Sequence, residues 1–398
     1  MTDSIPYSRR SEEQLVNEIV DLVRKRYDEA LKDLGGFNLG IFGKTGAGKS
    51  TLLNAVFGEN VAPAGLGSPV TESLTYYRKP ESALGIYDSR GFETGESAES
   101  LMAELTDIVR DSRQKPLAEQ LHVVWYVVRW TDRRIEEGQI ELIKHLIGLR
   151  LPVVFVLTQV PKKDGRLHPD AVALAEHVMS LQLPITPPRV YFTSAKSDPF
   201  DGYPVHGLHE LLEATFQVAP AAVHAALTAA QQIDLERKRK AARAAVNTAV
   251  LGAGVIGASP IPFSDAVLLI PNQVTMIAQI SAKYGLSIPA AKLGTMVASL
   301  VMSGGAAGAG RYVVSNLLKF VPGAGTVAGA VISSATAALL TEAIGRAWMR
   351  ICEQLLASGA TEIQDFDGLK RLFQTEVQKN VSAEQTDADK DASAKTAA

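Results

Sequence analysis

The chain is poor in cysteine: Cys352 is the only one in 398 residues. That excludes an internal disulfide and fits a reducing compartment. Seven scattered histidines and one cysteine leave no zinc-binding spacing. His206 and His209 form an H-x-x-H, but no further ligand is spaced for a metal, and both read as surface residues where a helix begins. Neither sign of charge dominates. Lys and Arg number 40 against 43 Asp and Glu, for a net charge of -3. This excludes a basic nucleic-acid coat and an acidic disordered chain. The opening MTDSIPYSRRSEEQ has no apolar core, so no secretory signal peptide is expected.

The length suffices for two or three domains with substantial cores. Residues 9–34 show an amphipathic helical pattern, with Leu15, Ile19, Leu22, Val23 and Tyr27 three or four apart; Gly35-Gly36 stops it. Short apolar runs follow at 37–42, 84–87, 122–128, 153–157 and 190–192. Helical patterns lie between most of them or after the last, at 98–111, 134–149, 170–181 and 207–218. Alternation of this kind predicts an α/β domain, a mostly parallel sheet with helices on both faces. The expected divisions are an N-terminal helix (1–35), the α/β domain (36–218), a linker helix with a basic cluster (219–245), an apolar all-α domain (246–358), a C-terminal helix (359–380) and a disordered tail (381–398).

The clearest motif is GKTGAGKS, Gly43 to Ser50. It fits G-x-x-x-x-G-K-[ST] and lies between a strand and a helix. Loop and helix-start N–H groups would face phosphate oxygens, and Gly43, Gly46 and Gly48 let the backbone approach closely. Lys49 would place its charge on the β- and γ-phosphates, and Ser50 would offer its hydroxyl to Mg²⁺. Gly43, Lys44, Thr45, Gly46, Ala47, Gly48, Lys49, Ser50 and Thr51 are therefore the expected phosphate cradle for a purine nucleoside triphosphate.

Further motifs resemble those of a known family. Asp88-Ser89-Arg90-Gly91 resembles the D-x-x-G motif of GTPases, whose Asp holds Mg²⁺ through water and whose Gly reads the γ-phosphate. Thr71, in Ser68-Pro69-Val70-Thr71, resembles the switch threonine that closes over Mg²⁺. Ser194-Ala195-Lys196 resembles the S-A-K motif that supports guanine. Order and spacing over 36–218 resemble the Era-like and immunity-related branches of the Ras-like GTPases. The resemblance implies GTP hydrolysis with Mg²⁺ as cofactor, a metal set of Ser50, Thr71 and Asp88, and catalytic roles for Lys49, Thr71 and Gly91.

Two positions depart from the family. Where [NT]-K-x-D should read guanine, the chain has Thr158-Gln159-Val160-Pro161. Thr158 fits, Gln159 replaces the stacking Lys, and Pro161 replaces the Asp that pairs with the base. Loss of a polar reader relaxes selectivity, so GTP is the first choice and ATP stays open. Asp164 would reach the base only with an altered loop. Phe92 stands where many relatives carry a water-orienting Gln. Lys44 and Arg90 are the cations in cis that could stabilise charge, or plain solvated loop residues. Slow basal turnover, raised by self-association or a partner, is expected. Trp125, Tyr126 and Trp130 read as core packing or contact with the following helix.

After residue 244 the chain is apolar and rich in small residues, which raises the mean hydropathy to +0.06. Ala244–Ser264, Leu293–Gly310 and Phe320–Thr341 carry no charge over lengths near the ~20 residues that span a bilayer. One reading is a water-soluble helical domain with close Ala/Gly packing; the other is membrane insertion or spanning. Ser264 or Asp265 is expected to cap a helix ending at Tyr284 with Gly285 as its stop, and Pro289 to start the next. Arg237, Lys238, Arg239, Lys240 and Arg243 suit an anionic membrane surface or a solvated helix face. Pro260–Leu286 resembles a bacterial domain of unknown function that follows Era-like GTPase domains.

These observations predict a cytoplasmic GTP-binding protein, able to associate with the inner membrane, that works as a nucleotide switch or dynamin-like mechanoenzyme. Expected partners are GTP or GDP, a membrane surface and a second copy of the chain on nucleotide binding; no specific nucleic acid is expected. The competing classes are a soluble regulatory or ribosome-associated GTPase and a nucleotide-binding module with little turnover.

Overall fold

The computed structural model describes residues 12–58, 68–69, 74–78, 82–89, 96–198, 200, 202–258, 269–286, 290–302, 334–358, 368–369 and 371–381. The chain divides into two compact units, Leu34–Leu235 and a second made of Met1–Asp33 with Glu236–Ala398.

The first unit is an α/β domain built on a seven-stranded sheet. Its strands are β1 (Phe37–Phe42), β2 (Ser68–Pro69), β3 (Leu74–Arg78), β4 (Leu84–Ser89), β5 (Val123–Arg129), β6 (Val153–Thr158) and β9 (Val190–Phe192), in the order β2-β3-β4-β1-β5-β6-β9. From β4 to β9 all neighbours pair in parallel; β2 and β3 form the antiparallel edge. A small hairpin, β7 (Lys162–Lys163) with β8 (Arg166–Leu167), stands apart. The crossovers run through α2 (Lys49–Phe57), α3 (Glu96–Ser112), α4 (Glu137–Gly148) and α5 (Pro169–Ser180), and α6 (Leu208–Val218) follows β9. Every residue of β1 and β6 is buried, as parallel strands covered on both faces require.

Asn38 of β1 is a buried polar residue whose hydrogen-bonding groups are met. The Asn38 amide donates to the carbonyls of Ala118 and Gln120 at 3.1 and 2.7 Å, and its backbone N–H donates to His122 Nδ1 at 2.8 Å. Trp125 is fully buried with its Nε1–H on Thr215 Oγ1 at 3.0 Å, which fixes α6 on the sheet. The unit extends past residue 218 because α7 (His224–Ala230) buries Ala226 and Leu227, and Gln232 N–H donates to the Val56 carbonyl at 2.8 Å.

Sheet order places the site. From β1 the chain runs to one side, through β3 and β4, then crosses to β5 on the other side. The carboxyl end of β1 is thus the switch point where open α/β sheets bind ligands. Gly43, Asp88, Thr158 and Ser194 lie at or just past the carboxyl ends of β1, β4, β6 and β9.

The second unit is all α: α1 (Glu12–Leu34), α8 (Leu235–Ala258), α9 (Leu269–Tyr284), α10 (Ala290–Met302) and α11 (Ser334–Ala357), with 371–381 also helical. The N-terminal helix belongs here. Tyr27 is buried and its hydroxyl donates to the Leu286 carbonyl at 2.7 Å. Gly285, at φ +65, ends α9. The basic cluster splits. Lys238 is buried and its Nζ donates to the Tyr284 carbonyl at 2.9 Å. Arg239 holds Glu353 with two bonds of 2.7 and 3.0 Å, and Tyr284 OH joins the same carboxylate at 3.1 Å. Lys240 and Arg243 face solvent. No helix among the described residues is long and apolar enough to cross a membrane. The expected cap at Ser264 or Asp265, Pro289 and most of 303–341 lie outside the described residues.

Candidate functional site

β1 ends at Phe42 and the chain turns at once. Gly43 runs so close to β5 that a Cβ there would lie 2.1 Å from the Val127 carbonyl oxygen, so no other residue fits. Gly48 caps α2 at φ +88, in the left-handed region, without a side-chain cap. The first N–H groups of α2 therefore point into the loop with no side chain on them, the arrangement that receives an anion. Lys49, the first residue of α2, folds back into the loop. Its ammonium donates to the Gly43 and Lys44 carbonyls at 2.8 and 3.2 Å. Burial lowers its pKa, and the charge of Asp88 opposes that shift.

Asp88 is the next-to-last residue of β4. Its carboxyl is pushed up to about 6 by burial, partly offset by the nearby Lys49 charge. Asp88 Oδ1 is buried with no hydrogen-bond partner among the described residues. A buried carboxylate oxygen without a donor is costly unless a cation or ordered water meets it. With Ser50 an exposed residue one past Lys49, the oxygen donors fit a hard cation such as Mg²⁺. Among the described residues no group of three or more His, Cys, Asp or Glu forms a metal cage. A cation here would take most of its ligands from water and phosphate, as Mg²⁺ usually does.

The cradle is tied to neighbouring loops. Thr158 Oγ1 donates to the Ala47 carbonyl at 2.5 Å and contacts the Val128 carbonyl at 3.3 Å. Gln159, at φ +59, lays its amide Nε2 on the Gly46 carbonyl at 3.3 Å. On the outer side Lys44 pairs with Glu136 at 2.6 Å. Glu136 is also the N-cap of α4, in a capping box with Gln139.

Beyond α2 opens a cavity of about 580 Å³, a size that holds a small ligand. Its wall includes Gly48, Thr51, Trp130 and the loop residues Thr158, Gln159 and Pro161 on one side, and Ser194 to Asp198 with Tyr203 on the other. His206 braces both sides. Its backbone pairs with Ser194 in both directions at 3.0 Å, and its ring meets the Val160 carbonyl at 2.8 Å.

Residues 38–159 match the family described as 50S ribosome-binding GTPase. This stretch is a P-loop GTPase domain. Residues 222–380 match the domain of unknown function DUF697. No curated protein matches the chain. Among solved structures, a probable GTP-binding protein engB is 17% identical, with 46% of this chain covering 97% of that one and a TM-score of 0.32. Era from Aquifex aeolicus, bound to GDP and AlF4-, is 21% identical, covering 47% of this chain and 57% of its own, at 0.30. Toc33 from Arabidopsis thaliana is 14% identical, covering 51% and 91%, at 0.33. The chain thus spans little more than half of that Era protein.

The GTPase domain gathers Gly43 to Thr51, Asp88, Thr158, Gln159 and Ser194 to Lys196 along one edge of its sheet. Thr71, Arg90, Gly91 and Phe92 lie outside the described residues. Asp164 sits exposed in the turn of the β7–β8 hairpin at φ +50 and lines a different hollow, with Lys162, Lys163 and residues 202–206. Two wall residues escaped the sequence reading. Trp130 is half-buried, packs against the core and stacks on His168, ring centroids 4.4 Å apart, and it also lines the cavity. Asp198 follows the S-A-K motif by two residues, and that closeness was the available signal.

Proposed function

We propose that the chain binds GTP at Gly43–Thr51 and hydrolyses it to GDP and phosphate. The observation that carries this reading is the Lys49 ammonium folded into the loop near Asp88 of β4, whose buried oxygen meets no donor among the described residues. Lys49 would bind the β- and γ-phosphate oxygens, and the α2 N–H groups would share their charge. Ser50 and Asp88, with Thr71, would hold Mg²⁺, whose chemistry is to neutralise charge across the transferred phosphoryl group. Thr71 and Gly91 would report the γ-phosphate as a switch.

Turnover by the isolated chain is slow in this reading. Lys44 is the loop cation nearest in sequence to Lys49, and Glu136 holds it at 2.6 Å. Phosphate release by dilute protein, with Mg²⁺ or with chelator, tests the reading against Lys49→Ala. Turnover that survives Lys49→Ala would end it.

A membrane surface is the proposed place of action, with self-association on nucleotide binding as the proposed response. What supports the membrane is the outer face of α8. Lys240, Arg243, Asn247, Leu251 and Val255 are three or four apart and all exposed, Leu251 at 73% and Val255 at 75%. A helix face basic at one end and apolar at the other suits an anionic lipid interface.

A further inference from the structure

Asp198 is the only carboxylate among the described residues that line the cavity beyond α2. We infer that this cavity takes a guanine base and that Asp198 reads its edge, the task for which Pro161 has no side-chain acceptor. The inference rests on the GTP-binding reading above and deepens it.

The geometry holds the carboxylate in place. Asp198 N–H donates to the Tyr203 carbonyl at 3.0 Å, and the Asp198 carbonyl accepts from Gly202 N–H at 2.8 Å. Asp198 Oδ1 accepts from Phe200 N–H at 2.9 Å. Asp198 makes further contact besides this bond, and a carboxylate with about four lone-pair sites can take a ligand's donors alongside turn bonds of this kind. The alternative acid, Asp164, faces the other hollow.

The chemistry selects the base. An ionised carboxylate only accepts hydrogen bonds. Guanine offers donors at N1–H and the N2 amino group. Adenine presents an acceptor at N1, which would face the carboxylate and repel it. The flat half-buried ring of Trp130 and the pinned Gln159 side chain supply apolar and amide surface on the same wall. Asp198 is exposed, so its discrimination will fall below the 10⁴–10⁵ of a fully buried reader; about tenfold to a hundredfold is expected.

Competition binding on the full chain with GDP, ADP, inosine diphosphate and xanthosine diphosphate tests this. Wild type should prefer GDP over ADP by about tenfold or more, and over inosine diphosphate, which lacks the N2 amino group. Asp198→Asn keeps an oxygen for Phe200 N–H, so the turn survives. It should weaken GDP by about tenfold and strengthen xanthosine diphosphate, whose O2 can accept from the new amide. Asp164→Asn should change nothing. If wild type binds GDP and ADP alike, or Asp198→Asn leaves the GDP-to-xanthosine-diphosphate ratio unmoved, the inference fails. Lys49-dependent binding would then keep the P-loop reading standing. If wild type binds none of the nucleotides, that reading falls as well.

Discussion

Thr158 and Ala47, 111 residues apart, are joined by a 2.5 Å hydrogen bond from the threonine hydroxyl to the alanine carbonyl. The bond ties the end of β6 to the Gly43–Ser50 loop. Thr158→Val keeps the shape and removes the donor. It leaves the Ala47 and Val128 carbonyls without that partner, a loss of about 1–2 kcal/mol. Urea unfolding should show the loss, and GDP affinity should drop with it. An unchanged midpoint would mean the tie is incidental.

The Lys44–Glu136 pair gives a kinetic prediction. Glu136→Gln retains an acceptor for the capping box of α4 but removes the charge that holds Lys44. If that hold keeps basal turnover low, phosphate release by the dilute variant should rise severalfold. The double variant with Lys44→Ala should return to the slow rate. A Glu136→Gln rate equal to wild type would show that Lys44 has no part in it.

Asp88 predicts a pH dependence in nucleotide-free protein. Its folded pKa, about 6, stands above the ordinary 3.8 because burial disfavours the charge. The folded state then binds the proton more tightly than the unfolded one. Stability from this group is greatest below pH 3.8 and is lost as pH rises through 6. Two pKa units set an upper bound of about 3 kcal/mol, reduced because the side chain is only partly buried. Asp88→Asn should be stabilised relative to wild type more at pH 7 than at pH 4.5 in urea unfolding. A difference that stays flat across this range would overturn the assignment.

The fold class and the phosphate loop were legible because their signals are local. Five apolar runs alternate with helical patterns, and a glycine-rich loop needs only its own strand and helix. What escaped depends on long-range pairing. Lys238 and Arg239 look like solvated cations until Tyr284 and Glu353 fold onto them. The α1 helix precedes the GTPase domain in sequence yet buries Tyr27 with the C-terminal helices. Trp130 reads as core packing or contact with the following helix from its place after β5, and it does pack against the core. Only the loop around Val160 and Pro161 and the turn at 198–203 make it a cavity wall.

Trp130 therefore gives a spectroscopic prediction. Trp125 and Trp348 are fully buried, so Trp130 is the indole that a cavity ligand would touch. Intrinsic fluorescence should change on GDP addition in wild type and stay constant in Trp130→Phe, with binding retained by competition. Persistence of the change in Trp130→Phe would place the ligand elsewhere.

The outer face of α8 separates lipid contact from plain exposure. Leu251 and Val255 project from the side opposite Lys238, Ala242, Val246, Ala249 and Ala253, which are buried in the helical unit. A Leu251→Glu, Val255→Glu double variant should thus leave the core intact, and circular dichroism should match wild type. If the face meets lipid, the variant should lose flotation with anionic vesicles. Lys240→Ala with Arg243→Ala should weaken flotation in a salt-sensitive way, at ~1 kcal/mol per cation near the surface. Wild-type protein that stays at the bottom of the gradient, with GTP analogue or without, would move the site of action away from the bilayer. The competing reading, a regulatory GTPase working in solution, would then be the one to pursue.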